Sequence, residues 1–162
     1  MPEQPNLARM IKLAEEFFDM RNDPSQINVN DETTDLLKSI HPRTLNEEQD
    51  ENGPIAWVLI FPTTEALMKQ FIDDQINEME LLRSTPLNVK YDAIYLCSAL
   101  ILPEYRGRGI AKRLTVKAIQ AMQKDHPIKS LFLWAFSSEG AKLALAIAGE
   151  LGLQLYKKSD HR

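Results

Sequence analysis

Three short, almost unbroken apolar runs constrain this chain most: IAWVLIF at 55–61, AIYLCSALIL at 93–102 and LFLWAF at 131–136. Runs of this length read as strands covered on both faces. Helical spacing fills the gaps between them. Leu7, Met10, Ile11, Ala14, Phe17 and Phe18 form one stripe over residues 6–20. Pro62-Thr63-Thr64-Glu65 opens a long helix to about Arg83, with Leu67, Phe71, Ile72, Ile76, Met79 and Leu82 inside. Thr63 or Thr64 can cap it, and Glu65 suits its positive end. Ile110, Leu114, Ala118 and Met122 predict a helix from about Gly107 to Lys124. Ser137-Ser138 precedes a last helix, from about Glu139 to Leu151, whose Ala141, Ala144 and Ala148 allow close approach to the sheet. LQLY at 153–156 is a short final strand, followed by a polar tail. The second half thus reads strand, helix, strand, helix, strand. One mixed sheet flanked by helices, an α/β fold, is the simplest architecture.

The first half is less regular. Asp23-Pro24-Ser25 ends the first helix, and a second covers residues 32–40, before Pro42. NEEQDENG at 46–53 reads as an exposed hairpin loop after a brief strand near 43–46. Its charges serve either solvation or the attraction of a cationic substrate.

The totals exclude several classes. The 162 residues fit one domain, 1–162, with a substantial core. A net charge of −4 argues against a nucleic-acid partner. Cys97 is the one cysteine, so no internal disulfide framework exists. The opening MPEQPNLARM lacks the apolar core of a signal peptide, and no apolar run approaches the ~18 residues of a membrane span. A cytoplasmic location and no membrane partner are expected. His41, His126 and His161 are scattered and read as surface residues, with no CxxC or HxxxH, so no metal is expected. No GxSxG elbow occurs.

The chemistry concentrates in PEYRGRGIAKRL, 103–114, between an apolar strand and an apolar helix. The first turn of a helix leaves N–H groups unpaired, and the helix dipole adds positive charge there. Gly107 and Gly109 lack Cβ atoms, so a ligand can approach the backbone closely. Arg106 and Arg108 add charge at the rim. These features suit a phosphate or diphosphate. The P-loop pattern GxxxxGK[ST] is absent. GxGxxG starts at Gly107, but Lys112 occupies the third glycine position and no acidic residue ends a following strand.

ALILPEYRGRGIA, 99–111, resembles the signature of the GNAT superfamily of acyl-CoA N-acyltransferases: an apolar strand, a proline, then [QR]xxGx[GA] opening a helix. Arg106, Gly109 and Ala111 fill the fixed positions, and the order of elements from 93 to 156 also matches. The resemblance implies a three-layer α/β/α fold with a splayed mixed sheet. It implies an acetyl-CoA-binding core at 93–156 and an acceptor-side half at 1–92. The amides from Gly107 through Arg108, Gly109, Ile110 and Ala111 to Lys112 would cradle the diphosphate. The strand at Ala99, Leu100 and Ile101 would pair with the pantetheine amides. An N–H near Ile101 would polarise the thioester carbonyl. The implied reaction is acetyl transfer from acetyl-CoA to an amine of a small molecule or peptide, by direct attack. Dimers are common in the family, so a homodimer is a possible state.

The catalytic positions depart from the family pattern. Where many members carry a tyrosine in the last helix, this chain has Ala148, and Ala141 replaces an asparagine. Tyr95 stands where some members place a glutamate base, and is the catalytic candidate, relaying a proton through water. The alternative is a half-buried strand tyrosine. Cys97 is a nucleophile or a small core residue. Glu104 and Ser137 lie at strand ends near the expected slot. These departures leave a second reading, a CoA-binding regulatory or interaction module with little catalysis.

Overall fold

The structure is a computed structural model that describes residues 4–21, 26–27, 30–135 and 138–159. Helices α1 (Pro5–Arg21) and α2 (Asp31–Ile40) precede strands β1 (Leu45–Asp50) and β2 (Gly53–Thr63). Next come α3 (Glu65–Ile72), α4 (Glu78–Ser84), β3 (Ala93–Ile101) and a 3-10 turn, Pro103–Tyr105. The chain continues through α5 (Ile110–Asp125), β4 (Ser130–Ala135), α6 (Ser138–Leu151) and β5 (Gln154–Ser159). The strands form one sheet in the order β1-β2-β3-β4-β5, with helices on both sides. β1, β2 and β3 are antiparallel neighbours, whereas β3, β4 and β5 run parallel. This is the mixed α/β sheet expected from the apolar runs.

The sheet opens in the middle. β2 stays paired with β3 as far as Ala56↔Ile101, and β4 stays paired with β5 as far as Ala135↔Ser159. Between β3 and β4 the register covers only Ala93↔Ser130, Ile94↔Leu131 and Tyr95↔Phe132. The β2–β3 register also slips here: Leu59 faces Ser98 while Ile60 faces Leu96. A bulge bends its strand and increases the twist. At Cys97 it turns the C-terminal half of β3 away from β4, and a slot opens.

Below the slot the core is aromatic. Tyr95 meets Phe61, Phe71 and Phe132 with ring centroids 5.5, 5.0 and 5.1 Å away. All four side chains are fully buried. Rings in tilted or edge-to-face contact add to the free energy of burial, so the closed end of the slot rests on a stiff base.

Several expectations change in the fold. The acidic segment is mostly strand: β1 runs through Asp50, and a turn at Glu51-Asn52 joins it to β2. An edge strand with one wet side tolerates this composition. The single long helix is two. Asp74 takes a left-handed φ of 63°, and Asn77 starts α4 in a capping box with Glu80. Thr64, rather than Thr63, caps α3. β5 absorbs Lys157 and Lys158 from the supposed tail. Lys158 is buried, with Nζ 2.8 Å from Asp74 and 4.6 Å from the Phe71 ring. Asp23-Pro24-Ser25, Phe136, Ser137 and His161 lie outside the described residues.

Candidate active site

The glycine turn has the backbone its sequence requires. After the 3-10 turn, Arg106 is extended, Gly107 has φ 78° and Gly109 has φ 76°. Both glycines occupy the left-handed region, which other residues rarely adopt. Gly109 is the N-cap of α5 and offers no side chain to its first turn. The amides of Ile110, Ala111 and Lys112 therefore have no partner within the helix. A Cβ placed on Gly107 would meet no atom within 4 Å, so the turn faces open space.

That space is a cavity of about 800 Å³ running from the glycine turn into the slot between β3 and β4. Ala99, Leu100 and Ile101 line it along β3. Arg106, Gly107, Gly109, Ile110, Ala111 and Lys112 line it at the turn. Arg108 stands off the wall, with its guanidinium 5.2 Å from the centre of the Tyr105 ring. Arg106 donates from Nε to the Ile101 carbonyl at 3.1 Å, and Lys112 pairs with Glu150 at 3.2 Å. A long slot with open strand edge on one flank and a cationic, amide-lined end suits an extended ligand that ends in an anionic group.

Sequence reasoning missed the opposite walls. Leu13, Glu16 and Phe17 come from α1, Leu133 and Trp134 from β4, and Glu139 and Leu143 from α6. The apolar stripe at 6–20 included Phe17, but only as part of a helix. Glu16 was one charge among many on the polar side of that helix.

The weaker candidates fall in different places. Tyr95 is fully buried beneath the slot and has no surface on the cavity wall. Its hydroxyl donates to Glu78, a buried carboxylate that also accepts the Ile27 N–H at 2.6 Å. Cys97 does line the cavity, beside the bulge. Glu104 points to α1 and receives both Nη atoms of Arg9 at 2.7 Å. This pairing holds its carboxyl at about 2. Beside it, Tyr105 donates to Asp50 at 2.5 Å, and Asn6 donates to the same carboxylate at 2.9 Å. The bond between Tyr105 and Asp50 lowers Asp50 and raises Tyr105 from their ordinary values. Two contacts thus tie α1 and the β1–β2 hairpin to the turn that carries Arg106 and Gly107.

The histidines need one correction. His41 is buried, not a surface residue: its Nε2 lies 2.8 Å from Asp125 and its Nδ1 accepts the Arg43 N–H at 3.0 Å. His126 packs on Tyr91, with ring centroids 4.6 Å apart. Both lie at the far end of α5 from the glycine turn. Among the described residues no group of three His, Cys, Asp or Glu could hold a metal ion. No described helix is long and apolar enough to cross a membrane.

Comparison with known proteins decides the family. The profile described as "Acetyltransferase (GNAT) family" matches residues 9–146, most of the chain. The protein belongs to the GNAT family. It is accordingly an acyltransferase. The cavity of this GNAT protein lies within the matched span except for Ile147. Among solved structures it is similar to an aminoglycoside acetyltransferase from an uncultured soil metagenomic sample, crystallised with sisomicin. The two share 15% identity over 89% of this chain and 80% of that one, with a TM-score of 0.47. No curated protein matches the chain. In this GNAT protein Ala148 is buried against the core, so the departure in the last helix is a packed methyl group rather than an exposed gap.

Proposed function

We propose that this GNAT protein transfers an acetyl group from acetyl-CoA to an amine of a small molecule or peptide. One observation carries the reading: the glycine turn and the parted flank of β3 open into the same cavity. The amides of Gly109, Ile110, Ala111 and Lys112 hold the diphosphate, assisted by the positive end of α5. The unpaired edge of β3 from Ala99 to Ile101 receives the pantetheine amides as an added strand.

The residues left for chemistry line the same walls. A backbone N–H of β3 near Ile101 stabilises the developing oxyanion. A neutral amine attacks the carbonyl carbon, and the tetrahedral intermediate collapses with cleavage of the C–S bond. The departing thiolate takes up, from water or a wall carboxylate, the proton that the amine gives up. Glu16 and Glu139 are carboxylates on the cavity wall, and either can accept the amine's proton directly or through water. Tyr95, shut beneath the slot, supports its floor.

Thiol release from acetyl-CoA across a panel of primary amines tests the reading. Amine-dependent release that saturates in both substrates is expected. CoA binding with no turnover on any amine would contradict it.

A further inference from the structure

The glycine turn is gripped from outside by a residue absent from the cavity wall. Arg113 sends Nη1 back to the Arg108 carbonyl at 2.8 Å, and its backbone N–H donates to the Gly109 carbonyl at 3.0 Å. The side chain therefore holds the peptide before Gly109, while the first regular hydrogen bond of α5 holds the one after it. A trans peptide is planar, with C=O and N–H pointing in opposite directions. No described peptide is cis. With the Arg108 carbonyl drawn outward to Arg113, the Gly109 N–H points the other way, to the side where Gly109 lines the cavity. With the Gly109 carbonyl drawn along α5, the Ile110 N–H projects from the start of the helix.

We propose that Arg113 is a positioning residue, whose side chain aims the Gly109 amide at the acyl-CoA diphosphate without touching it. The proposal rests on the acetyl-CoA reading above. A brace is needed because glycine restrains its own peptides least of all residues, and this N-cap has no side-chain hydrogen bond. The other cations of the turn are engaged elsewhere: Arg106 on Ile101, Arg108 over Tyr105, Lys112 on Glu150. Arg113 also closes over the glycine, with Nη1 3.3 Å from where a Cβ at 109 would lie.

The test uses Arg113→Met, which keeps the apolar stem, and Arg113→Lys, which keeps a donor. Each is titrated with CoA and assayed with acetyl-CoA and acetyl-pantetheine, which lacks the diphosphate. Arg113→Met should weaken CoA binding and raise the KM for acetyl-CoA about tenfold, the loss of one hydrogen bond to a charged group. Saturated kcat and the KM for acetyl-pantetheine should match wild type. Arg113→Lys should recover most of the affinity. Unchanged CoA affinity, or an equal loss with acetyl-pantetheine, would overturn the proposal. Failure of the wild type to bind CoA would instead sink the underlying reading, and the wild-type titration shows that alone.

Discussion

Tyr95 on β3 and Phe132 on β4 face each other across the last rung that joins the two strands, with their rings 5.1 Å apart. Past this pair the strands separate and the cavity begins. The pair is the hinge of the slot: buried, aromatic, and seated on Phe61 and Phe71.

The hydroxyl of Tyr95 serves Glu78, not the cavity. Tyr95→Phe leaves a buried carboxylate short of a donor, at a cost of about 1–3 kcal/mol. Urea unfolding should show that loss, while turnover per folded molecule stays at the wild-type level. A collapse of kcat without loss of stability would mean that Tyr95 handles protons.

Gly109 caps α5 at φ 76°. Gly109→Val forces a β-branched residue into the left-handed region, costing about 1–2 kcal/mol. It also disturbs the amides of the turn, so the CoA Kd should rise tenfold or more by calorimetry. Gly152→Ala is the control. It meets the same kind of strain, at φ 68°, after α6 and away from the cavity wall, so CoA affinity should hold.

Glu104 is an acid held ionised by Arg9, the largest cause of its low value of about 2. A depressed carboxylate contributes stability above its ordinary value of 4.5, and that contribution is lost as pH falls through about 2. Carbon-13 NMR of the Glu104 carboxyl should give a midpoint near 2. Arg9→Met should move it toward 4.5. Any acid limb of activity near neutral pH therefore belongs to another group.

His126 has its value lowered from 6.5, first by burial and then by the nearby charges of His41 and Lys90, against an opposing pull from Asp125. The unfolded chain binds the proton more readily, so stability falls as pH drops through 6.5. Urea midpoints should decline between about pH 7.5 and about pH 5.5. His126→Gln should flatten that decline.

How much of this was legible in the sequence depends on which force wrote each part. The strands at 55–61 and 93–102 were plain because burial on both faces demands continuous apolar residues. The glycine turn was plain because a left-handed backbone beside a helix start leaves few residue choices. β1 was hidden because an edge strand obeys solvent on one side, and Glu47, Glu48 and Gln49 look like a loop. The break between α3 and α4 was written in Asp73-Asp74 and in Asn77 with Glu80, beneath a strong apolar period. His41 was misread because its partner, Asp125, lies 84 positions away. Arg113 carried no signal, since residue spacing alone does not show which carbonyl a guanidinium will find, even one five positions back. Glu16 and Phe17 belong to the cavity only because α1 lies over it, a tertiary fact.

The most direct measurement follows the backbone amides of nitrogen-15-labelled protein while CoA is added. Saturable shifts should be largest at Gly107, Gly109, Ile110 and Ala111, with a second set along Ala99 to Ile101. Saturation with the main shifts elsewhere, or no shift at millimolar CoA, would contradict the claim that this turn and this strand edge form one acyl-CoA site.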